Sequence, residues 1–285
     1  MMKVEKYSEL AEVWRRLTRS KSAVAGIIIV SIFAFSAVFA PWIAPKDPNK
    51  MDLLKGLETP NNEYLLGRDE YGRDILSRII YGSRISLFVG IVATIIGLSG
   101  GIILGSIAAF VGGNFDHIIM RIFDIILAFP SILLAIGIMA ALGPGLLQIV
   151  LVIGVVDIPR FGRIVRGSVL SIKENDYITA AIVSGAGVSR IIFVHVLPNI
   201  VGPIIVIATL SIAGAILSES SLSFLGLGVE PPTPTWGAML NSGRQYIRIA
   251  PHLGIFPGLA ITLTVLGFNL LGDGLRDALD PRLRK

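Results

Sequence analysis

The sequence predicts an all-α membrane protein with six transmembrane helices. Hydrophobic residues make up 53% of the 285 residues and charged residues only 16%, whereas soluble domains carry about 25% charged residues. The apolar residues fall into long runs separated by short polar segments. Several runs are long enough for a helix to cross the ~30 Å hydrocarbon layer of a bilayer. These observations exclude most soluble folds.

The composition also excludes several kinds of site. Cysteine is absent, which excludes a disulfide framework, a thiolate nucleophile and a cysteine-based metal site. The three histidines, His117, His195 and His252, are too scattered for a local ligand cluster. The net charge of +5 suggests nucleic acid, but the basic residues flank apolar runs, which is typical of membrane topology.

The first predicted span lies between Lys21 and Lys46, which enclose 24 uncharged residues. At a rise of ~1.5 Å per residue, this helix more than crosses the hydrocarbon layer. A cleaved signal peptide is the alternative, because basic residues precede the run. The apolar region of a signal peptide is only about 7–15 residues long, however, so the pattern favours a span.

A polar insert at residues 46–84 follows, with seven Lys or Arg and seven Asp or Glu residues. Balanced charge of this kind predicts a folded, solvated cap. Three isoleucines at helical spacing, Ile75, Ile79 and Ile80, predict a short amphipathic helix lying against the membrane. A catalytic pair of Asp69 and Asp74 is the alternative, but charged runs are more often solvated surface.

Two further apolar runs predict the second, third and fourth spans. The second span lies between Arg84 and Asp116. The 32 uncharged residues after Asp124 are too long for one helix, and Gly143-Pro144-Gly145 predicts a hairpin that divides them. Pro130 predicts a kink in the third span. We expect the fourth span to leave the membrane around Pro159.

The last two spans are predicted at residues 199–218 and 249–272. The connection between them, residues 220–248, is rich in Gly, Pro and Ser, which predicts an extracytoplasmic, partly re-entrant loop.

The distribution of basic residues predicts the orientation. With the N-terminus inside, the cytoplasmic segments hold sixteen of the 25 Lys and Arg residues, so the positive-inside rule predicts that both termini are cytoplasmic. The chain then divides into residues 1–82 (cytoplasmic N-terminus, first span and extracytoplasmic insert), 83–275 (a five-helix core) and 276–285 (a cytoplasmic tail).

Ionisable residues beside apolar runs are candidates for a translocation pathway, because a charge in the bilayer is costly. Most of them lie near predicted helix ends, where a capped or headgroup-level carboxylate is the alternative. Glu219 is the favoured candidate, since it ends the fifth span on the outer side among serines. Ser220 and Asp124 are the further pathway candidates.

Residues 173–198 form the predicted cytoplasmic loop. Its segment from Asp176 to Pro198 has polar residues near its ends and separates two long apolar runs. Gly185 and Gly187 divide it into two short predicted helices. The first carries small residues that suit a partner's groove, and the second could lie along the membrane. From the pattern alone, a docking site and a plain interhelical loop both remain open.

The same segment resembles the signature of permeases of the ATP-binding-cassette import systems. Their cytoplasmic loop reads Glu-Ala-Ala, three residues, Gly, nine residues, then Ile-x-Leu-Pro. This chain has the same spacing, with two departures: Thr179 replaces the Glu and His195 replaces the Ile. The matching residues are Thr179, Ala180, Ala181, Gly185, His195, Leu197 and Pro198.

Within those permeases, the chain resembles the C-type subunit of the dipeptide and oligopeptide branch. RIIFVHVLPN is similar to the RIIFRHILPN of that branch. Four longer segments resemble it in order along the chain: LLGRDEYGRDILSRIIYGSRISL, RIFDIILAFPSILLAI, LSFLGLGVEPPTPTWGAML and PGLAITLTVLGFNLLGDGLRDALDPRL.

The resemblance implies a type I importer fold in which the loop at residues 173–198 supplies a coupling helix to an ATPase. The seven signature residues would make that contact. The implied partners are a homologous second permease, two cytoplasmic ATPases that carry ATP and Mg²⁺, and an extracytoplasmic binding protein. This chain itself would bind no cofactor and catalyse no reaction.

The cargo implied by the resemblance is a dipeptide or oligopeptide, with oligosaccharides or nickel as alternatives. From another class, an ion-gradient-driven secondary transporter is the alternative, which inverted repeats or a buried carboxylate chain would favour. An intramembrane enzyme would need a nucleophile beside a base, and the sequence offers no such pair.

Overall fold

The computed structural model describes residues 12–279. This part of the chain is helical and contains no β-strand, apart from an isolated antiparallel bridge between Arg68 and Asp74. The predicted all-α class is therefore confirmed. A helical segment at residues 12–19 precedes the helices α1 (Lys21–Ile43), α2 (Ile75–Val111), α3 (Gly113–Leu127), α4 (Ser131–Leu142), α5 (Leu146–Lys173), α6 (Asp176–Val183), α7 (Val188–Phe224), α8 (Trp236–Gly243) and α9 (His252–Leu279).

Four of these helices, α1, α2, α7 and α9, are long and apolar enough to cross a membrane. The helices α3 and α4 reach that standard only as a pair, and they meet at an angle of 87°. The described residues thus contain four such spans, or five if the bent pair counts as one. Helix α5 is long but carries Asp157, Arg160 and Arg163 in its middle, so the six-span count stays a prediction.

Helix α2 begins inside the polar insert, and the predicted separate amphipathic helix is wrong. Ile75 is the first residue of a continuous 37-residue helix. Asp74 caps its N-terminus, because its Oδ2 accepts hydrogen bonds from Ser77 N at 2.8 Å and Ser77 Oγ at 2.6 Å. Ile75 is buried in a cluster with Met239 and Leu253. The segment therefore packs on protein, and the domain boundary predicted after residue 82 falls inside α2.

Five of the fourteen charged residues of the insert are buried and the others are partly or fully exposed, so the predicted solvated cap is only partly correct. The Arg73 guanidinium donates to Asp69 at 2.6 Å, and both side chains are less than a tenth exposed. Arg68 is equally buried and lies 3.0 Å from both Asp52 and Glu58. Burying ions requires such pairing. Asp69 and Asp74 thus each have structural partners, in place of the catalytic pairing considered as the alternative.

Proline and glycine mark the breaks in the middle of the chain. The predicted kink at Pro130 is a full break, since α3 ends at Leu127 and α4 begins at Ser131. The hairpin predicted at Gly143-Pro144-Gly145 is confirmed, with Gly143 and Gly145 at φ of +81° and +153°. Helix α5 then continues without interruption past Pro159 to Lys173.

Helix α7 is also longer than predicted. The second short helix and the fifth span form one 37-residue helix, so the break expected before residue 199 is wrong. A π-helical turn at Ile191–Val196 precedes Pro198, and at its end Leu197 N–H donates to the carbonyl of Ile192, five residues back. Beyond Phe224 the loop contains α8 and a 3₁₀ turn at Arg244–Tyr246.

The most extensive helix contact joins α2 to α5, and glycines make it close. Gly97, Gly101 and Gly105 form a stripe along α2 that faces Gly154, Phe161 and Gly162 of α5. A methyl group at Gly105 would overlap the carbonyl of Gly162. Two backbones can approach this closely only where side chains are missing, as is common between membrane helices.

The glycine stripe predicts a specific loss of stability. We expect Gly105→Ala to destabilise the fold by about 1–3 kcal/mol, because the new methyl overpacks the α2–α5 contact. Gly167→Ala on α5 is the matched control, since its methyl meets open space and alanine favours the helix by about 0.5–1 kcal/mol. Thermal unfolding of the purified complex in detergent would measure both. Equal midpoints for the two variants would contradict the proposed packing.

Candidate functional site

The predicted cytoplasmic loop folds into a helical hairpin made of α6, a tight turn and the start of α7. Helix α6 ends in a Schellman motif, in which Gly185 N–H donates to the carbonyl of Ile182 and Ala186 N–H to that of Ala181. Gly185 lies at φ +81°, in the left-handed region that glycine tolerates best. Gly185 therefore shapes the turn, and nothing lies within 4 Å of the position that its side chain would occupy.

One side of the hairpin is anchored in the protein and the other is exposed. Ile178 of α6 and Ile191 and Val196 of α7 are fully buried against Val165 and Val169 of α5. On the opposite side, apolar side chains face outward, among them Val183 (83% exposed) and Phe193 (62% exposed). Exposed apolar side chains of this kind suit contact with a partner protein or with the membrane.

The seven signature residues lie in the two arms of this hairpin and, for Gly185, in the turn between them. Thr179, Ala180, Gly185 and Pro198 are exposed, while Ala181, His195 and Leu197 are half-buried. The arms are joined by Asn199, whose Nδ2 donates to the carbonyl of His195 at 2.6 Å and lies 3.4 Å from the Tyr177 hydroxyl. The structure thus gathers these residues into one hairpin.

The base of the hairpin is tied to the core by Lys173, the last residue of α5. Its Nζ donates to the carbonyls of Ala109 at 3.3 Å and Phe110 at 3.0 Å. These carbonyls lie at the C-terminal end of α2, where the helix leaves acceptors free and carries partial negative charge. A cationic side chain there joins α2 to α5 just before the hairpin begins.

Two ion pairs attach α3 to α5. Arg166 donates two hydrogen bonds to the carboxylate of Asp116, both at 2.6 Å, a bidentate geometry that fixes orientation. Arg163 of α5 pairs with Asp124, which also lies on α3. Asp124, a predicted pathway residue, is therefore half-exposed and engaged in a pair between helices.

Glu219, the favoured pathway candidate, is fully buried between α7 and α2. Its carboxylate accepts hydrogen bonds from three serine hydroxyls: Ser86 of α2 at 3.0 Å, Ser223 at 2.8 Å and Ser220 at 3.4 Å. Ser220 is buried beside it. The carboxylate thus links two helices through residues that are 133 positions apart in sequence.

Sequence reasoning missed Lys173, Asp116 and Arg166 as anchors. The position of Lys173 in the last turn of a helix is a local signal, since cations favour that end. Asp116 and Arg166 are 50 residues apart, and no local pattern indicates that such a pair meets. Among the described residues, no group of three or more His, Asp or Glu side chains could hold a metal ion.

The fold and the hairpin define a helical membrane protein with several spans. A family model for the binding-protein-dependent transport system inner membrane component matches residues 101–285. A second model, for the N-terminal TM domain of oligopeptide transport permease C, matches residues 8–60. The chain belongs to the family of binding-protein-dependent transport system inner membrane components, and the predicted resemblance to C-type peptide permeases is confirmed.

Curated relatives match almost the whole chain. A di/tripeptide transport system permease protein of Pseudomonas aeruginosa is 48% identical over 283 residues, covering 97% of this chain and 93% of the relative. A dipeptide transport system permease protein of Alkalihalophilus pseudofirmus is 48% identical over 273 residues, 96% and 90% of the two chains. A glutathione transport system permease protein of Pectobacterium atrosepticum is 47% identical over 274 residues, 96% and 91% of the two chains.

The serine cluster around Glu219 generates a prediction about stability. We expect Glu219→Ala to cost roughly 1–3 kcal/mol for each hydroxyl that loses its acceptor, whereas Glu219→Gln keeps an acceptor in place and costs less. Thermal unfolding in detergent would compare the two variants. Ser221→Ala is the control, because that hydroxyl bonds only to the carbonyl of Leu217 in its own helix. An alanine variant as stable as the glutamine variant would contradict this account.

Proposed function

We propose that this chain is a non-catalytic transmembrane subunit of an ATP-driven importer of dipeptides and oligopeptides, forming half of the translocation pathway. The observation that carries the proposal is the similarity, over 97% of the chain, to a permease protein for di- and tripeptides. Glutathione, named for another relative, is also a small peptide. These relatives favour a peptide over the alternative cargoes, an oligosaccharide or nickel.

The proposed machine contains four kinds of partner. A homologous second permease completes the pathway, two cytoplasmic ATPases bind ATP and Mg²⁺, and an extracytoplasmic binding protein delivers the cargo. The description of the family as binding-protein-dependent supports the last of these. ATP can drive the cycle only if the ATPases bind more tightly to one state of the permease pair than to the other. This chain binds no cofactor in the scheme.

The proposed topology has six crossings, with both termini in the cytoplasm. The crossings are α1, α2, the bent pair of α3 and α4, α5, α7 and α9. Helix α5 has 28 residues, which corresponds to ~42 Å and exceeds the ~30 Å hydrocarbon layer. Two of its arginines are paired with aspartates of α3, which lowers the cost of placing them near the membrane.

We assign ATPase coupling to the hairpin and keep Glu219, Ser220 and Asp124 as pathway candidates. Helix α6 would enter a cleft of the ATPase, with Thr179, Ala180 and Ala181 as its contact face. The anchoring of the hairpin on α5 supports this role, because a firmly packed element transmits force. The exposed Val183 extends the contact beyond the signature residues.

The proposed function predicts peptide uptake that requires ATP. We expect proteoliposomes containing the full complex and its binding protein to accumulate labelled Ala-Ala when ATP is supplied to the ATPase side. Omitting either the ATPases or the binding protein should abolish uptake. Proteoliposomes that lack only this chain are the control. Uptake by this chain alone, driven by a proton or sodium gradient, would contradict the proposal and favour a secondary transporter.

Two substitutions of Gly185 can distinguish a lost ATPase contact from backbone strain at the hairpin turn. Gly185→Ala and Gly185→Arg both place a side chain at φ +81°, which costs roughly 1–2 kcal/mol, but only arginine reaches the proposed ATPase contact. We therefore expect Gly185→Arg to hydrolyse ATP while uptake falls at least about tenfold, and Gly185→Ala to retain most uptake. Both activities would be measured in the same proteoliposomes.

Gly167→Arg provides a control for arginine bulk, because Gly167 lies on α5 outside the hairpin and also faces open space. If Gly185→Arg and Gly185→Ala take up the same amount of peptide per ATP hydrolysed, the hairpin turn does not contact the ATPase.

A further inference from the structure

A cavity of about 180 Å³ lies between α4, α5 and α7. It opens just after the break at Pro130, where α4 begins. Its walls are partly apolar, but α5 and α7 contribute polar groups. The lining residues that matter here are Asp157 and Arg160 of α5, Ser131 of α4 and Ser218 of α7.

Asp157 and Arg160 lie one turn apart on α5 and carry opposite charges. Their charged atoms are not within the 4.0 Å of an ion pair, and across residues 12–279 neither side chain takes part in an ion pair or a hydrogen bond. The next two arginines of the helix, Arg163 and Arg166, are both paired with aspartates of α3. The two charges that face the cavity are therefore available to a ligand.

It is unusual for two charged side chains near the middle of a membrane helix to have no partner. Asp157 lies eleven residues after Leu146, the first residue of α5, or ~17 Å along the helix. If α5 crosses the membrane as proposed, Asp157 is near the middle of the ~30 Å hydrocarbon layer. Charged groups at that depth are costly and characteristically line substrate pathways.

We propose that Asp157 and Arg160 bind the charged ends of a peptide as it passes through the permease. The Asp157 carboxylate receives the peptide ammonium group, and the Arg160 guanidinium and Ser218 hydroxyl receive the peptide carboxylate. This assignment rests on the proposed function and adds a binding site to it. Neither residue belongs to the hairpin or to the cluster around Glu219.

Size and spacing suit a short peptide. Asp157 and Arg160 are ~4.5 Å apart along the helix axis, and the arginine side chain extends this span toward the ~7 Å of two extended residues. The cavity is smaller than the roughly 300–1,000 Å³ typical of whole-ligand pockets. It would therefore hold a dipeptide or one end of a longer peptide, with the remainder facing the second permease.

The presence of two opposite charges in one cavity also distinguishes between cargo classes. A neutral oligosaccharide can form hydrogen bonds with a carboxylate and a guanidinium, but it carries no opposite charges to match them. A nickel ion would be attracted by Asp157 but repelled by Arg160. A zwitterion is the ligand that both charges favour.

The test uses the complete complex with its binding protein in proteoliposomes and labelled Ala-Ala as cargo. We expect Asp157→Asn and Arg160→Gln each to transport roughly three- to tenfold fewer peptides per ATP hydrolysed, while ATP hydrolysis and peptide affinity of the binding protein stay unchanged. Asp157→Glu keeps the charge and should retain most uptake. Exchanging the charges, with Asp157→Arg and Arg160→Asp together, should restore part of it, because a zwitterion can bind in the reverse direction.

Matched controls are Asp273→Asn and Arg276→Gln, exposed residues of α9 outside the cavity, which should leave uptake unchanged. Wild-type uptake per ATP in both single cavity variants would overturn this inference and leave the proposed function intact. An exchange variant no better than the single variants would also overturn it. Failure of the wild-type complex to import Ala-Ala would instead overturn the proposed function itself.

Discussion

The close approach of α2 and α5 is the constraint on which the rest of the structure depends. It exists because glycines on α2 meet Gly154 and Gly162 of α5, so the two backbones touch. Helix α5 also makes three further contacts: its arginines pair with aspartates of α3, its last residue binds the end of α2, and Val165 and Val169 pack against the hairpin. The contact between these two helices therefore positions both the hairpin and the cavity that α5 lines.

Local features of this chain could be predicted from its sequence. Apolar runs placed α1 and α9, and Gly143-Pro144-Gly145 marked a real turn because glycine and proline act through their own backbone geometry. Longer-range features could not. The sequence predicts that Arg73 and Asp69 are solvated, because composition does not show that a salt bridge is buried. It predicts too late a start for α2, because Arg78 and Arg84 interrupt the apolar run although both lie within the helix.

The same difference between local and long-range features applies to the hairpin and to the surroundings of Glu219. The hairpin depends on a contiguous segment, so its turn at Gly185 and its two arms were visible in sequence, although the continuity of the second arm with α7 was not. The surroundings of Glu219 depend on Ser86, 133 residues away. The sequence indicated a carboxylate among serines, but it could not indicate that a second helix encloses the group or that Asp157 faces a cavity nearby.

The unbroken length of α7 has a mechanical consequence. A helix of 37 residues is a rod of ~55 Å, with the hairpin turn at one end and the buried carboxylate of Glu219 near the other. If this helix moved as a rigid body, a tilt of ~10° at the hairpin would displace the opposite end by ~10 Å. A small rotation at the hairpin would thereby become a larger displacement at the far end of the helix.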